Sequence, residues 1–185
     1  NTNALLTMTD GVLSGKTGFT GDAGYCYVCA CEKDEKTFVV SLLGCGWPNN
    51  KGYKWKDSVK LLDYGEDNFD YEKFWKELKF PEVPVKDGVE KNSTFGDTAV
   101  VSGIPSVSEK EKNKKILMKK GEKISCRLEM PEKLQAPVKK GNRIGTLIYS
   151  LGEEELASYP VLADRNVEKV SYGWCVDQVF HDFFH

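Results

Sequence analysis

The sequence predicts an α+β chain: antiparallel strands and a helix in its first third, then a small all-β sandwich from about residue 80. Three observations carry this prediction. Three extended runs, SGKTG, GYCYVCACE and TFVVSLLG, are separated by GFTGDA and KDEK, connections of Gly, Asp and Lys that suit hairpins. Beyond FPEVPVKDG the pattern becomes short alternating strands with turns at regular spacing. The end, SYGWCVDQVFHDFFH, changes to helical period.

Taken in order, the three runs make an antiparallel meander. Asp57 is placed to cap a helix over DSVKLLDYG that buries Val59, Leu61 and Leu62 and stops at Gly65. FPEVPVKDG carries two prolines close together and reads as a linker or first edge strand. The run SEKEKNKK, 108–115, reads as a solvated hairpin tip. KISCRLEM puts Ile124, Cys126, Leu128 and Met130 on one face, and RIGTLIYS and ELASYPVL add further strands. In the terminal segment Val176, Val179, Phe180, Phe183 and Phe184 share one face, with Asp177, Gln178 and Asp182 on the other. That helix either packs on a core or lies in a membrane interface. The expected organisation is therefore 1–80, 81–170 and a helical start at 171–185.

With 185 residues, 40% of them hydrophobic, the chain can bury one sizeable core or two small ones. Its 26 basic and 28 acidic residues give a net charge of -2, which offers no field for gathering nucleic acid. No apolar run is long enough to span a membrane as a helix. NTNALLTMTD lacks the regions of a signal peptide, so an export signal is expected outside this chain. Cys26, Cys29 and Cys31 lie on one extended run, Cys26 facing one way and the other two the opposite way. Without a second paired cluster they read as small core residues, not zinc ligands. His181 and His185 stand four apart but have no third ligand. Neither a metal nor a cofactor is expected.

The most chemically pointed stretch is Lys16-Thr17-Gly18. At a sheet edge an ammonium and a hydroxyl offer charge-assisted hydrogen bonds to a carboxylate, and a glycine lets a ligand backbone approach closely. The triplet alone better suits a polar cluster on an edge strand.

The context distinguishes the two. NALL, DGVLSGKTGFTGDAGYC, a strand ending LLGCG and KWKDSVKLLDYG together resemble the closing part of the penicillin-binding domain of serine-type D-alanyl-D-alanine carboxypeptidases, the low-molecular-weight penicillin-binding proteins. LQAPVKKGNRIGTL and YPVLADRNVEKV resemble the β-sandwich domain that follows it, and the tail resembles the family's membrane-attaching amphipathic helix. The resemblance implies the closing strands and helix of a β-lactamase-like domain plus a sandwich. It implies that Lys16 polarises the site, that Thr17 holds the substrate's terminal carboxylate, that Gly18 permits close approach, and that the Phe19 amide is an oxyanion donor. Thr20 falls in the same substrate-binding strand. Lys54 stands near where relatives often place an arginine. The implied partners are peptidoglycan stem peptides, β-lactams and a membrane surface through 171–185, on the outer face of the cytoplasmic membrane.

The acyl-serine chemistry of that family needs a Ser-x-x-Lys and a Ser-x-Asn box. No serine here is followed by Lys three positions on or by Asn two positions on. The chain is thus expected to be the C-terminal portion of a longer enzyme, inactive alone, or else a non-catalytic envelope-binding module with a vestigial Lys-Thr-Gly strand. A portion lacking the rest of its domain is expected to need a second copy or the missing N-terminal segment in trans. A carrier-domain reading of LQAPVKKGNRIGTL fails for want of a lysine at a tight hairpin tip. A class A β-lactamase would end soon after the strand and helix.

Overall fold

The structure, a computed structural model, describes residues 3–90 and 93–184, without the side chains of Asp182 and Phe184. It divides into two compact units, Asn1–Lys73 with Lys115–Glu122, and Phe74–Lys114 with Lys123–His185.

In the first unit, β1 (Val12–Thr20), β2 (Gly24–Lys33) and β3 (Lys36–Leu42) form the expected meander, with β1 and β3 at its edges. The β2–β3 turn is Asp34-Glu35, both at positive φ, which matches the twist of a two-residue hairpin. The register sets Tyr27 opposite Leu42, Cys29 opposite Val40 and Cys31 opposite Phe38 on one face. Val28 with Ser41 and Ala30 with Val39 lie on the other. Strand alternation therefore buries Cys29 and Cys31 as core residues and turns Cys26 away, as the spacing predicts.

Helix α1 (Tyr53–Asn68) covers the Tyr27 face, closing a core of Leu5, Tyr27, Cys29, Cys31, Val40 and Leu62. It differs from the expectation at both ends. It begins a turn earlier, at Gly52, with no side-chain cap, and Asp57 lies inside it, accepting from Cys45 Sγ at 3.3 Å. It also runs through Gly65, whose role is packing: a Cβ there would meet the Phe38 ring at 2.9 Å. Leu62 is buried, Val59 half-buried and Leu61 exposed, because the stripe facing the sheet is Lys54, Ser58, Leu62 and Gly65. Lys36 closes the far end, its ammonium donating to the carbonyls of Glu66 and Phe69 at 3.3 and 3.2 Å. The chain leaves through β4 (Phe69–Lys73).

In the second unit FPEVPVKDG supplies β5 (Val83–Lys86), a middle strand and not an edge or linker. Val83 and Val85 point into the core while Pro84 and Lys86 are exposed. Next come β6 (Gly88–Val89), β7 (Val100–Val101) and β8 (Gly103–Pro105). The charge run 108–115 is not a hairpin tip: it folds as the short helix α2 (Glu109–Lys112), which Ser108 and Glu111 close with a reciprocal capping box. The chain then returns to the first unit as β9 (Lys115–Lys119), which pairs antiparallel with β4, Tyr71 opposite Leu117.

Back in the second unit follow β10 (Ile124–Glu129), β11 (Leu134–Gln135), β12 (Arg143–Leu151), β13 (Glu154–Ala163), β14 (Glu168–Lys169) and helix α3 (Tyr172–Phe184). The sheets run β10-β12-β13-β8, β11-β5-β7 and β14-β6. This is the strand-rich unit expected after residue 80, with Val101, Leu147, Tyr149, Val161 and Val167 at its centre. Alternation along β10 follows the sequence pattern, Ile124 buried and Cys126 and Leu128 half-buried. In α3, Tyr172, Val179, Phe180 and Phe183 are exposed, while Trp174, Cys175 and Val176 are half-buried. Among the described residues no helix is long and apolar enough to cross a membrane. The side chains of Asp182 and Phe184, and His185, all placed on this segment from the sequence, lie outside the described residues.

Candidate functional site

Lys16, Thr17, Gly18, Phe19 and Thr20 all lie on β1, the exposed edge of the meander. Pairing places them opposite Val28, Tyr27, Cys26, Tyr25 and Gly24 in turn. Alternation then sends Thr17 and Phe19 to the α1 face and Lys16 and Gly18 to the opposite one. The triplet does not present its three residues to one surface; it forms the rim between two.

On the α1 side, Thr17, Gly18 and Phe19 line an open groove of about 410 Å³ whose far wall is Tyr25, Lys51, Lys54 and Trp55. Phe19 and Tyr25 meet as tilted rings with centroids 4.5 Å apart, and Trp55 is held edge-on to the buried Tyr27 at 4.8 Å, so the groove is lined by aromatic rings. Lys54 is 6% exposed. Its ammonium donates to the Lys51 carbonyl at 2.8 Å and lies 4.0 Å over the Tyr25 ring and 4.7 Å over Trp55. Burial, with the neighbouring Lys51 charge adding to it, holds this ammonium below the ordinary lysine range. A cation so placed, with one protein acceptor and two ring faces, has a donor hydrogen left for an anion. Behind it, Cys45 is held as a thiol by burial and by the Asp57 carboxylate.

On the opposite side, Lys16, Gly18, Cys26, Val28, Ser41 and Leu43 border a shallower, more apolar depression of about 260 Å³. The Lys16 ammonium donates to the Thr17 carbonyl at 2.9 Å. Thr20 Oγ1 is engaged in the hairpin, accepting from the Ala23 amide at 3.0 Å. Among the described residues no group of three or more His, Cys, Asp or Glu is arranged to hold a metal ion.

The groove thus gathers Thr17, Gly18 and Phe19, which the motif singled out, and adds Lys51, Lys54, Tyr25 and Trp55, which it did not. The readable signal for Lys54 was its place on the apolar stripe of α1, spaced with Ser58 and Leu62. Chemically, an edge strand beside a hydroxyl, two ammonium groups and aromatic walls can hold an extended peptide by its terminal carboxylate.

Comparison with known proteins gives the following likenesses. Residues 86–169 match the family described as penicillin-binding protein 5, C-terminal domain. The chain is 27% identical over 176 residues to the D-alanyl-D-alanine carboxypeptidase DacF of Bacillus subtilis (strain 168), covering 93% of this chain and 41% of that protein. It is 28% identical over 194 residues to the D-alanyl-D-alanine carboxypeptidase DacC of Escherichia coli (strain K12), covering 100% and 44%. Among solved structures, the D-alanyl-D-alanine carboxypeptidase DacD from Francisella tularensis superposes with a TM-score of 0.53 at 27% identity, covering 92% of this chain and 39% of that one. The chain therefore spans less than half the length of these relatives.

Proposed function

We propose, from the match of residues 86–169 to the family described as penicillin-binding protein 5, C-terminal domain, and from the likeness of the chain to D-alanyl-D-alanine carboxypeptidases, that its first unit supplies the carboxylate-recognising wall of a serine-type carboxypeptidase that trims the terminal D-alanine of peptidoglycan stem peptides. The observation that carries this reading is the groove that joins Thr17, Gly18 and Phe19 to Lys51 and Lys54.

In this mechanism the substrate lies along β1. Thr17 Oγ1 and the Lys54 ammonium bind its terminal carboxylate, and Gly18 admits its backbone. A serine hydroxyl attacks the carbonyl carbon of the penultimate D-alanine. The Phe19 amide donates to the oxygen as it becomes an oxyanion, a contact worth on the order of 3 to 4 kcal/mol of transition-state stabilisation. Collapse breaks the peptide bond, the departing D-alanine nitrogen takes the proton that the serine hydroxyl gave up, and water then hydrolyses the acyl ester and restores the hydroxyl. Lys16, on the far face of β1, places its positive charge beside the same rim and polarises the reacting groups. β-Lactams enter the same groove through their carboxylate. The attacking serine lies outside this chain, since none of its serines stands in a Ser-x-x-Lys box, and the chain is a fragment of the active enzyme. The exposed aromatic face of α3 rests on the outer surface of the cytoplasmic membrane, placing the protein in the cell envelope. The same missing box favours a second reading, an envelope-binding module in which the groove captures peptide termini without cleaving them.

Titrating N-acetyl-D-alanyl-D-alanine into the isotope-labelled chain tests the groove. Amide resonances of Thr17, Gly18 and Phe19 should shift, and Thr17→Val should remove the effect. An equal response to the analogue ending in a carboxamide, or shifts confined to other residues, would refute carboxylate recognition here.

A further inference from the structure

The second unit holds a cavity of about 340 Å³ between the β5–β6 turn, the 94–99 loop and the first turn of α3. That size lies in the range of small-molecule sites, roughly 300–1,000 Å³. Phe95 and Trp174 border it as a T-shaped pair with centroids 5.3 Å apart, and Phe95 is 50% exposed. In a T arrangement one ring spends its edge on its neighbour and the other keeps a free face. Around the pair stand Asp87, Asp97 and Thr98.

The acceptors here are set by local structure. Asp97 uses one carboxylate oxygen to bind the Thr94 amide at 2.7 Å and the Thr94 hydroxyl at 3.0 Å. Those hydrogen bonds keep its carboxyl below the usual range, so Asp97 stands at the cavity lining as an ionised acceptor. Asp87 is held at φ 55 with one carboxylate oxygen on Gln135 Nε2 at 3.0 Å. Among the described residues that line the cavity, Lys86 is the one cation set against the two carboxylates. Their surplus negative charge disfavours phosphate-bearing ligands, lipid headgroups included. Carboxylates and a threonine hydroxyl beside a free aromatic face suit instead a neutral polyhydroxylated ring: its hydroxyls donate to the carboxylates and its C–H face covers the aromatic.

We propose that this cavity is a saccharide subsite that takes a β-1,4-linked N-acetylhexosamine chain, a site separate from the peptide groove of the first unit. The assignment of that sugar class rests on the peptidoglycan reading above; the saccharide chemistry of the cavity rests on its own residues. A carboxypeptidase substrate carries its stem peptides on such a glycan, so a modest affinity here adds to a modest affinity for the peptide on the same polymer.

Tri-N-acetylchitotriose titrated into the isotope-labelled full chain is the test, with dissociation expected near the millimolar range, about 1 mM. The Trp174 indole resonance and the amides of residues 94–98 should shift while those of Thr17 to Phe19 stay still. Phe95→Ala, at a half-exposed position, should weaken binding about tenfold or more without changing the melting temperature; Trp174→Ala should do the same. The inference is overturned if the trisaccharide moves no resonance around the cavity, if Phe95→Ala binds as the parent chain does, or if inorganic phosphate produces the same shifts. Cavity shifts together with a silent response to N-acetyl-D-alanyl-D-alanine would sustain the saccharide site and reject the peptide groove. The converse result would reject the saccharide site alone.

Discussion

Lys54 combines a buried position, one hydrogen bond and two ring faces, and the three have opposite consequences for stability and recognition. Removing the ammonium from water favours the neutral amine, and its pKa in the folded chain lies below the ordinary 10.5. The unfolded chain therefore binds this proton more tightly. Below the folded pKa the buried charge is a full cost to stability; between that value and 10.5 the cost fades as pH rises, because the unfolded state then holds more protons. Lys54→Met, which keeps the volume against Tyr25 and Trp55, should thus raise the melting temperature near neutral pH. The gain should shrink with rising pH and disappear above 10.5. The same substitution should abolish binding of N-acetyl-D-alanyl-D-alanine. Thermal melts across pH, set beside the peptide titration, check both; a variant less stable at neutral pH would show that the ring contacts outweigh desolvation. Such an exchange of stability for binding is common at functional sites.

At the scale of elements, α1 is positioned by a glycine and a lysine that its own periodicity does not explain. Gly65 lets the helix approach β3 until the Phe38 ring fills the space of a side chain. Gly65→Ala should gain helix propensity and yet destabilise by about 1–3 kcal/mol, because a methyl must displace that ring. Chemical denaturation measures the balance, and a more stable variant would mean that the ring yields freely. Lys36, from the neighbouring strand, supplies the donors that the last carbonyls of the helix lack. Both devices keep α1 on the Tyr27 face, which is what brings Lys51 and Lys54 opposite Thr17. The α2 capping box, by contrast, stood in the sequence as Ser108-x-x-Glu111, and the charge density around it concealed a helix start.

At the scale of the molecule, the two units are interleaved: residues 115–122 belong with the first, inside a stretch otherwise given to the second. Nothing local marks β9 as the partner of β4, since that pairing joins segments some forty residues apart. The proposed chemistry follows the same division. In that proposal the first unit carries recognition, and no serine of the chain stands in a Ser-x-x-Lys box, so the isolated chain incubated with a fluorescent penicillin should show no covalent adduct by mass spectrometry. A stoichiometric penicilloyl adduct on any serine would overturn the proposal that the nucleophile lies elsewhere.

The amino-acid sequence by itself determined what depends on near neighbours: the meander, the two faces of its cysteines, the alternation of β10, the helical end, and the placement of Lys16, Thr17 and Gly18 on one strand. Periodicity and turn chemistry act over a few residues, and those features need no more than that. Only the tertiary structure decided that Pro84 sits in a middle strand, that Gly65 is a contact and not a stop, and that Lys54 is buried over two aromatic rings across the groove from Thr17. Each of these depends on which distant surface lies opposite, and burial energy, hydrogen-bond satisfaction and charge desolvation are properties of that pairing, not of either segment alone.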